Sequence, residues 1–150
     1  YGKTKFLGEI NSPYALTIRK STIGLELNSQ HGLIEWFLNQ EGSIKGFDNA
    51  IYSGMTSSEL VKVVSFLINK NSFPSGILNI SSKPISKFKL LKKMANLLEK
   101  DIKIEKDTDF SCDRSLDGTY FSDSQDYFLP DWDIMLEDLA REIKARNTNY

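Results

Sequence analysis

The sequence predicts an α/β fold, and three observations carry that expectation. Segments with helical spacing of apolar residues alternate with short β-prone runs along the whole chain. The run Ala15–Ile18 is almost continuously apolar, as suits a strand buried on both faces of a parallel sheet. Hydroxyl residues that can cap a helix stand directly before two of the clearest helical patterns.

The elements follow in order. Residues 1–11 read as a helix with Phe6, Leu7 and Ile10 on its apolar side, Gly8 tolerated within it and Pro13 beyond its end. Residues 14–24 read as the first strand, with Ala15, Leu16, Thr17 and Ile18 as its β-prone run and Gly24 stopping it. Leu33–Gln40 is a short helix ended by Gly42. Ser43–Phe47 is a weak strand, and Asp48–Met55 reads as a loop containing Asn49 and Gly54. Thr56 or Ser57 then caps a helix, with Glu59 as the acidic partner of a capping box and Leu60, Val63, Val64, Leu67 and Ile68 at helical spacing. Gly76–Ser81 is a strand. Ser86 caps a helix that runs to Glu99 with Phe88, Leu91, Met94, Ala95 and Leu98 on one face. Ile102–Lys106 alternates like a half-exposed strand. Asp107–Phe128 is polar and irregular, a loop long enough to suggest function. Asp131–Arg146 closes the chain as an amphipathic helix built on Met135, Leu136, Leu139 and Ile143.

Composition narrows the functional classes. With 150 residues and 40% hydrophobic content the chain can bury one core. Lys+Arg (19) and Asp+Glu (20) nearly cancel, so no charge excess points to nucleic acid or to an anionic membrane. No apolar run has membrane-span length and no signal-peptide pattern opens the chain, which predicts a cytoplasmic protein. A single cysteine, Cys112, forms no internal disulfide and offers no metal cluster. The only histidine is His31, so a Ser-His-Asp triad would have to pass through it, and no nucleophile elbow is present. The first residue is Tyr1 rather than Met, and the sequence reads as a piece that opens inside a helix.

Tyr1 and Lys5 stand four apart on that helix and so project from one face. A tyrosine hydroxyl ordinarily titrates near pH 10, about three units too high for proton transfer at neutrality. A neighbouring ammonium favours phenolate and brings the hydroxyl toward the working range. The pair suits a reductase in which the hydroxyl protonates a carbonyl oxygen as hydride arrives. Such a spacing also arises by chance, so the pair alone does not decide the matter.

Its surroundings add a resemblance. YGKTKFLGE resembles the active-site helix of extended short-chain dehydrogenases, and IRKSTIG resembles their Leu-Arg-x-Ser strand. SELVKVVSFLI looks like the helix after the substrate loop. GILNISSKPISKFKLLKKMANLL looks like the strand, serine cap and helix of the small domain. DRSLDGTYF and LPDWDIMLEDLAREI resemble the Arg-Pro-x-x-Ser-x-Leu-Asp stretch and the closing Pro-x-Trp helix of dTDP-4-dehydrorhamnose reductases. The matches run in order across nearly the whole chain. They imply the C-terminal part of a Rossmann-like NAD(P)-binding fold, with a small α/β substrate-binding subdomain.

The resemblance implies roles residue by residue. Tyr1 would be the catalytic acid and Lys5 its partner, both touching the nicotinamide ribose of NADP or NAD. Ser21 and Ile23 would lie near the cofactor and Thr22 near the sugar. Glu26, His31 and Glu35 are further polar candidates: His31 would line the cleft, with a turn residue before Gly32 as its alternative, and a solvated helix face is the alternative for Glu35. Arg114 would hold the substrate diphosphate, which suits a guanidinium; a loop salt bridge with Asp113 or Asp117 is the alternative. The nucleotide end would lie between the 48–55 loop and the loop around Arg114. Thr22 stands where rhamnose reductases often carry Trp, so the rhamnose precursor is not implied. No Gly-rich phosphate loop occurs in the sequence, and the third catalytic hydroxyl would lie upstream of Tyr1; the fragment alone is therefore expected to be inactive.

The expected function is NAD(P)H-dependent reduction of a 4-keto nucleotide sugar in polysaccharide or glycan precursor synthesis, in a protein that the resemblance implies pairs as a homodimer. A nucleotide-sugar epimerase or dehydratase shares the same Tyr-Lys pair. A regulatory binding subunit resembling the methionine adenosyltransferase β subunit is the non-catalytic alternative, and retention of Tyr1 and Lys5 favours an enzyme.

Overall fold

The computed structural model of the chain describes residues 2–70 and 74–148. In chain order it contains α1 (Gly2–Leu7), β1 (Leu16–Arg19), β2 (Thr22–Ile23), α2 (Leu33–Leu38), β3 (Gly42–Tyr52), β4 (Met55–Thr56) and α3 (Ser57–Ile68). There follow β5 (Gly76–Asn79), β6 (Ile85–Ser86), α4 (Lys87–Leu97), β7 (Ile102–Arg114), α5 (Thr119–Gln125) and α6 (Trp132–Thr148). Strands β1 and β5 pair in parallel, as do β2 and β4. A third sheet has the order β6-β3-β7, with β7 parallel and β6 antiparallel to β3. The mixed α/β architecture with parallel strands is the one the alternating pattern predicts.

The core lies where α4 packs against β3 on one side and against α6 on another. Leu90, Leu91 and Met94 of α4 meet Met135, Leu136 and Leu139 of α6, all fully buried, with Ile34 and Phe37 of α2 in the same cluster. Each such side chain stabilises the fold by roughly 1.5–3 kcal/mol relative to exposure. The apolar positions recur at three- and four-residue intervals, which is why these segments form helices here. Trp132 anchors the start of α6 by donating its indole N–H to the Lys83 carbonyl at 2.8 Å.

Both helix caps form. Thr56 Oγ1 accepts the Glu59 N–H at 3.4 Å, and Ser86 Oγ accepts the Lys89 N–H at 3.2 Å. Thr56, rather than Ser57, is the capping residue of α3. The Glu59 carboxylate does not close the expected box with its own N-cap. It is buried, accepts the Tyr127 hydroxyl at 2.9 Å and pairs with Lys62 at 3.1 Å.

Three boundaries differ from the sequence reading, each for a physical reason. The first helix stops at Leu7 rather than Asn11. Gly8 ends it, and the following residues serve other partners: Glu9 pairs with Arg19 at 2.6 Å, and Ile10 exchanges two hydrogen bonds with Thr17 Oγ1. The 48–55 segment is mostly strand, because β3 continues to Tyr52 between β7 on one side and β6 on the other. The 107–128 segment is not a long loop. β7 runs on to Arg114 along β3, and α5 forms where Phe121 plugs into the core. Tertiary pairing overrides the weak local preference of these polar stretches.

Candidate functional site

Strand pairing brings distant segments to one cleft. Beyond β1 the chain enters Ser21, whose carbonyl accepts the Met55 N–H at 3.0 Å. Gly54 makes this approach possible: a Cβ there would sit 2.8 Å from the Ser21 carbonyl oxygen and 2.7 Å from the Tyr52 ring. The same junction seats the end of β3 beside Ser21–Ile23. On the other side of β3, the register places Ala50 opposite Cys112 and Tyr52 opposite Arg114.

The result is a cleft of about 510 Å³. Ser21, Thr22 and Ile23 line one end, Lys87, Cys112 and Arg114 flank the middle, and Phe47 and Phe110 stand further along the β3–β7 pair. Phe47 to Tyr52 along β3 spans roughly 17 Å at strand rise. The segments expected to flank a nucleotide, 48–55 and the neighbourhood of Arg114, do meet here, but as paired strands and not as loops.

Two cations define its electrostatics. Lys87 is half-buried at the start of α4, with its ammonium 5.8 Å from the centre of the Trp36 ring and 5.9 Å from that of Phe47. Burial first, and the Arg114 charge second, push the Lys87 ammonium below its ordinary value. Neither cation has a carboxylate partner among the described residues. The salt bridges considered for Arg114 do not form. Asp113 Oδ1 instead accepts the Ser115 N–H and hydroxyl at 2.8 and 2.7 Å, and Asp117 Oδ1 accepts the Thr119 N–H at 2.9 Å. Two cations without carboxylate partners among the described residues, lining one cleft, give it a positive potential that would favour an anionic ligand.

The sequence-derived residues are distributed unevenly. Ser21, Thr22, Ile23 and Arg114 share this cleft. Thr22 Oγ1 accepts a hydrogen bond from the Lys20 ammonium at 2.6 Å. Lys5 lies on the exposed helix α1. Tyr1 lies outside the described residues. His31 does not line the cleft: it is exposed in the 26–32 turn, where its backbone N–H and the Ser29 hydroxyl bind Glu26 Oε2. A larger hollow of about 820 Å³, between the 26–30 loop, α2 and the end of α6, is lined by Glu26 and Glu35 but not by Lys5, Ser21, Thr22, Ile23, His31 or Arg114. No group of ligating side chains among the described residues is arranged for a metal ion.

Lys87 was not singled out from the sequence, although one signal was present. A cation at the first helical position, directly after the Ser86 cap, opposes the positive end of the helix dipole, a weak signal that an ordinary solvated lysine gives as well. Phe47 and Phe110 carried no such signal, because Phe110 sits in a stretch that reads as loop.

No family model and no curated protein matches the chain. Solved structures do match. A dTDP-4-dehydrorhamnose reductase from Bacillus anthracis, in complex with NADP, has a TM-score of 0.68 and 16% identity over 85% of this chain and 48% of its own. The Yersinia enterocolitica reductase of the same description has a TM-score of 0.67 and 21% identity, over 83% of this chain and 48% of its own. A UDP-N-acetylglucosamine 4-epimerase from Methanobrevibacter ruminantium, in complex with UDP-N-acetylmuramic acid, has a TM-score of 0.63 and 18% identity, over 87% of this chain and 46% of its own. The chain thus spans about half the length of the structures it matches, and its fold is that of part of these Rossmann-like reductases and epimerases.

Proposed function

We propose that this chain is the substrate-binding part of an NAD(P)-dependent enzyme acting on a nucleotide sugar, with reduction of a 4-keto sugar as the reaction. The carrying observation is the Lys87–Arg114 couple, without carboxylate partners among the described residues, in a cleft that also takes in Ser21–Ile23. A nucleotide sugar presents a sugar, a diphosphate and a base in line. The cleft offers small polar groups, two cations and aromatic rings. The structural neighbours include enzymes of dTDP-sugars and UDP-sugars, one crystallised with NADP, which supports the substrate class and the cofactor type.

In this reading Lys87 and Arg114 hold the diphosphate, and Thr22 faces the sugar. Tyr1 donates a proton to the carbonyl oxygen, and the Lys5 ammonium stabilises the phenolate left behind. Ser21 and Ile23 wall the nicotinamide side and would hold a dihydronicotinamide there; its chemistry would be hydride donation, which with the Tyr1 proton turns the carbonyl into an alcohol and leaves the oxidised cofactor. The sequence contains no Gly-rich loop for the cofactor pyrophosphate, so on this reading the remainder of the cofactor site belongs to another segment. The setting would be glycan precursor synthesis in the cytoplasm.

Two measurements test the reading. On the intact protein, UDP and dTDP should bind with micromolar-range affinity while uridine and thymidine bind at least tenfold more weakly. Lys87→Met and Arg114→Met should each weaken the diphosphates by tenfold or more, since a hydrogen bond to a charged group contributes about 1.5–3 kcal/mol. In a screen of keto-sugar nucleotides with NADH and NADPH, Tyr1→Phe should lower kcat by orders of magnitude with nucleotide affinity retained. Equal binding of nucleosides and nucleoside diphosphates would overturn the substrate assignment. Interconversion of two sugar epimers without net cofactor turnover would favour the epimerase instead.

A further inference from the structure

Lys87 has aromatic partners where most buried cations have a carboxylate. Its ammonium stands 5.8 Å from the centre of the Trp36 ring on α2 and 5.9 Å from that of Phe47 on β3. Both distances fall within the span of about 6 Å over which the negative face of an aromatic ring attracts a cation. The two rings come from separate elements, and each element is fixed for its own reason. α2 is fastened by Ile34 and Phe37, fully buried in the core, and by Glu35, which pairs with Arg146 at 2.6 Å. Trp36 stands among these anchors yet outside the core, at 36% exposure. Leu33, three residues earlier and so a neighbour on the helix surface, lines the cleft. Phe47 is held in the β3–β7 ladder, opposite Asp107.

Burial alone works against the Lys87 charge. A carboxylate would offset that cost, but it would also cancel the positive potential that attracts an anion. An aromatic face offsets part of the cost and carries no net charge, so the ammonium keeps its field. A lysine stem is also flexible, and a free surface lysine gives up rotamer freedom when it meets a ligand in one place. Rings on two fixed elements remove part of that cost before the ligand arrives.

We propose that Trp36 is a positioning residue of the cleft, acting through Lys87: together with Phe47 it holds the ammonium ready for a diphosphate without supplying a countercharge. This role rests on the nucleotide-sugar reading and deepens it. Trp36 need not touch the ligand, and its whole effect passes through the one lysine.

Calorimetric titration of the intact protein with inorganic pyrophosphate, which has neither base nor sugar, tests the role. Trp36→Leu should weaken pyrophosphate by about three- to tenfold, the size of one cation–π contact, and Trp36→Phe should recover most of the loss. In a Lys87→Met background, Trp36→Leu should cost less than about twofold, whereas a merely structural tryptophan would weaken the remaining Arg114 contact by the same factor in both backgrounds. Trp36 lies outside the core, so Trp36→Leu should keep its melting temperature. A second readout needs no ligand. After reductive methylation of the lysines with isotopically labelled methyl groups, the Lys87 signal, identified by its loss in Lys87→Met, should be displaced by the ring currents from those of solvated lysines. In Trp36→Leu it should return toward them. Unchanged pyrophosphate affinity in Trp36→Leu, or equal losses in both backgrounds, would overturn the positioning role. An undisplaced Lys87 signal in the wild type would overturn the aromatic contact on which it is built. If pyrophosphate and UDP both fail to bind the wild type while the signal is displaced, the nucleotide-sugar reading falls, and the positioning role with it, although the aromatic contact stands.

Discussion

At the scale of the residue, the site was legible where chemistry is carried by charge and obscure where it is carried by shape. Arg114 could be picked out as a candidate anion ligand from its residue type and its motif, and among the described residues it has no carboxylate partner. Lys87 escaped notice because a lysine after a serine cap looks like an ordinary solvated residue. Only its burial against Trp36 and Phe47 distinguishes it. His31 shows the opposite failure: a lone histidine attracts attention by its type, and its position in an exposed turn removes it from the cleft. Glu35 is another residue whose role no local pattern reveals. It is buried at 5% exposure, accepts two hydrogen bonds from Arg146 at 2.6 and 3.2 Å, and accepts the Glu26 N–H at 3.0 Å. It joins the 26–32 turn, α2 and α6 across more than a hundred residues of sequence. Glu35→Ala should destabilise the fold by about 2–3 kcal/mol in urea denaturation, the partial exposure of Arg146 keeping the loss at the lower end for a broken buried pair. A change below about half a kcal/mol would show that this network is not structural.

At the scale of the element, helices were read well and strands poorly. The caps Thr56 and Ser86 and the apolar stripes of α3, α4 and α6 are local signals, and the helices follow them closely. β3 and β7 are long only because they pair with each other. Neither Asp48–Tyr52 nor Asp107–Arg114 has the composition of a strand on its own, and ladder hydrogen bonds between segments some sixty residues apart supply what propensity does not. The Ser86 cap ties these two kinds of element together. Its hydroxyl accepts from Lys89 N–H and donates to Asp48 at 2.6 Å, so one side chain ties the start of α4 to β3 at Asp48. Ser86→Ala should cost about 1–2 kcal/mol by thermal or urea unfolding. The same variant should weaken UDP binding several-fold, because Lys87 follows immediately. Ser86→Thr, which keeps the hydroxyl, should restore most of both.

At the scale of the whole molecule, stability carries a recognisable dependence on acid. Glu9 beside Arg19, Glu35 beside Arg146, Asp48 beside Lys106 and Asp107 beside Lys45 are all held below the ordinary carboxylate range, chiefly by the hydrogen bond from the named cation. A carboxyl whose folded pKa is lowered favours the folded state fully at neutral pH. That advantage disappears as pH falls from the ordinary carboxylate values, about 4, through the lower folded ones. The melting temperature should therefore be nearly flat between pH 8 and about pH 5 and fall steeply below about pH 4. A Tm that rises on acidification would contradict these pairings. The alternation of helices and strands, and hence the fold class, was visible from the sequence alone. The division into three small sheets was not, since it depends on which strands find each other over long separations.

The position of β7 has a final consequence. Among the described residues it is the outer member of its sheet, with β3 on one side only. A thirteen-residue strand with one unpaired backbone rim is a template on which another chain could polymerise. Its sequence answers that hazard with Lys103, Glu105, Lys106, Asp107 and Asp109, a near-continuous series of charges that an incoming strand would have to strip of water. The polar character that disguises β7 as a loop thus serves as its protection against self-association.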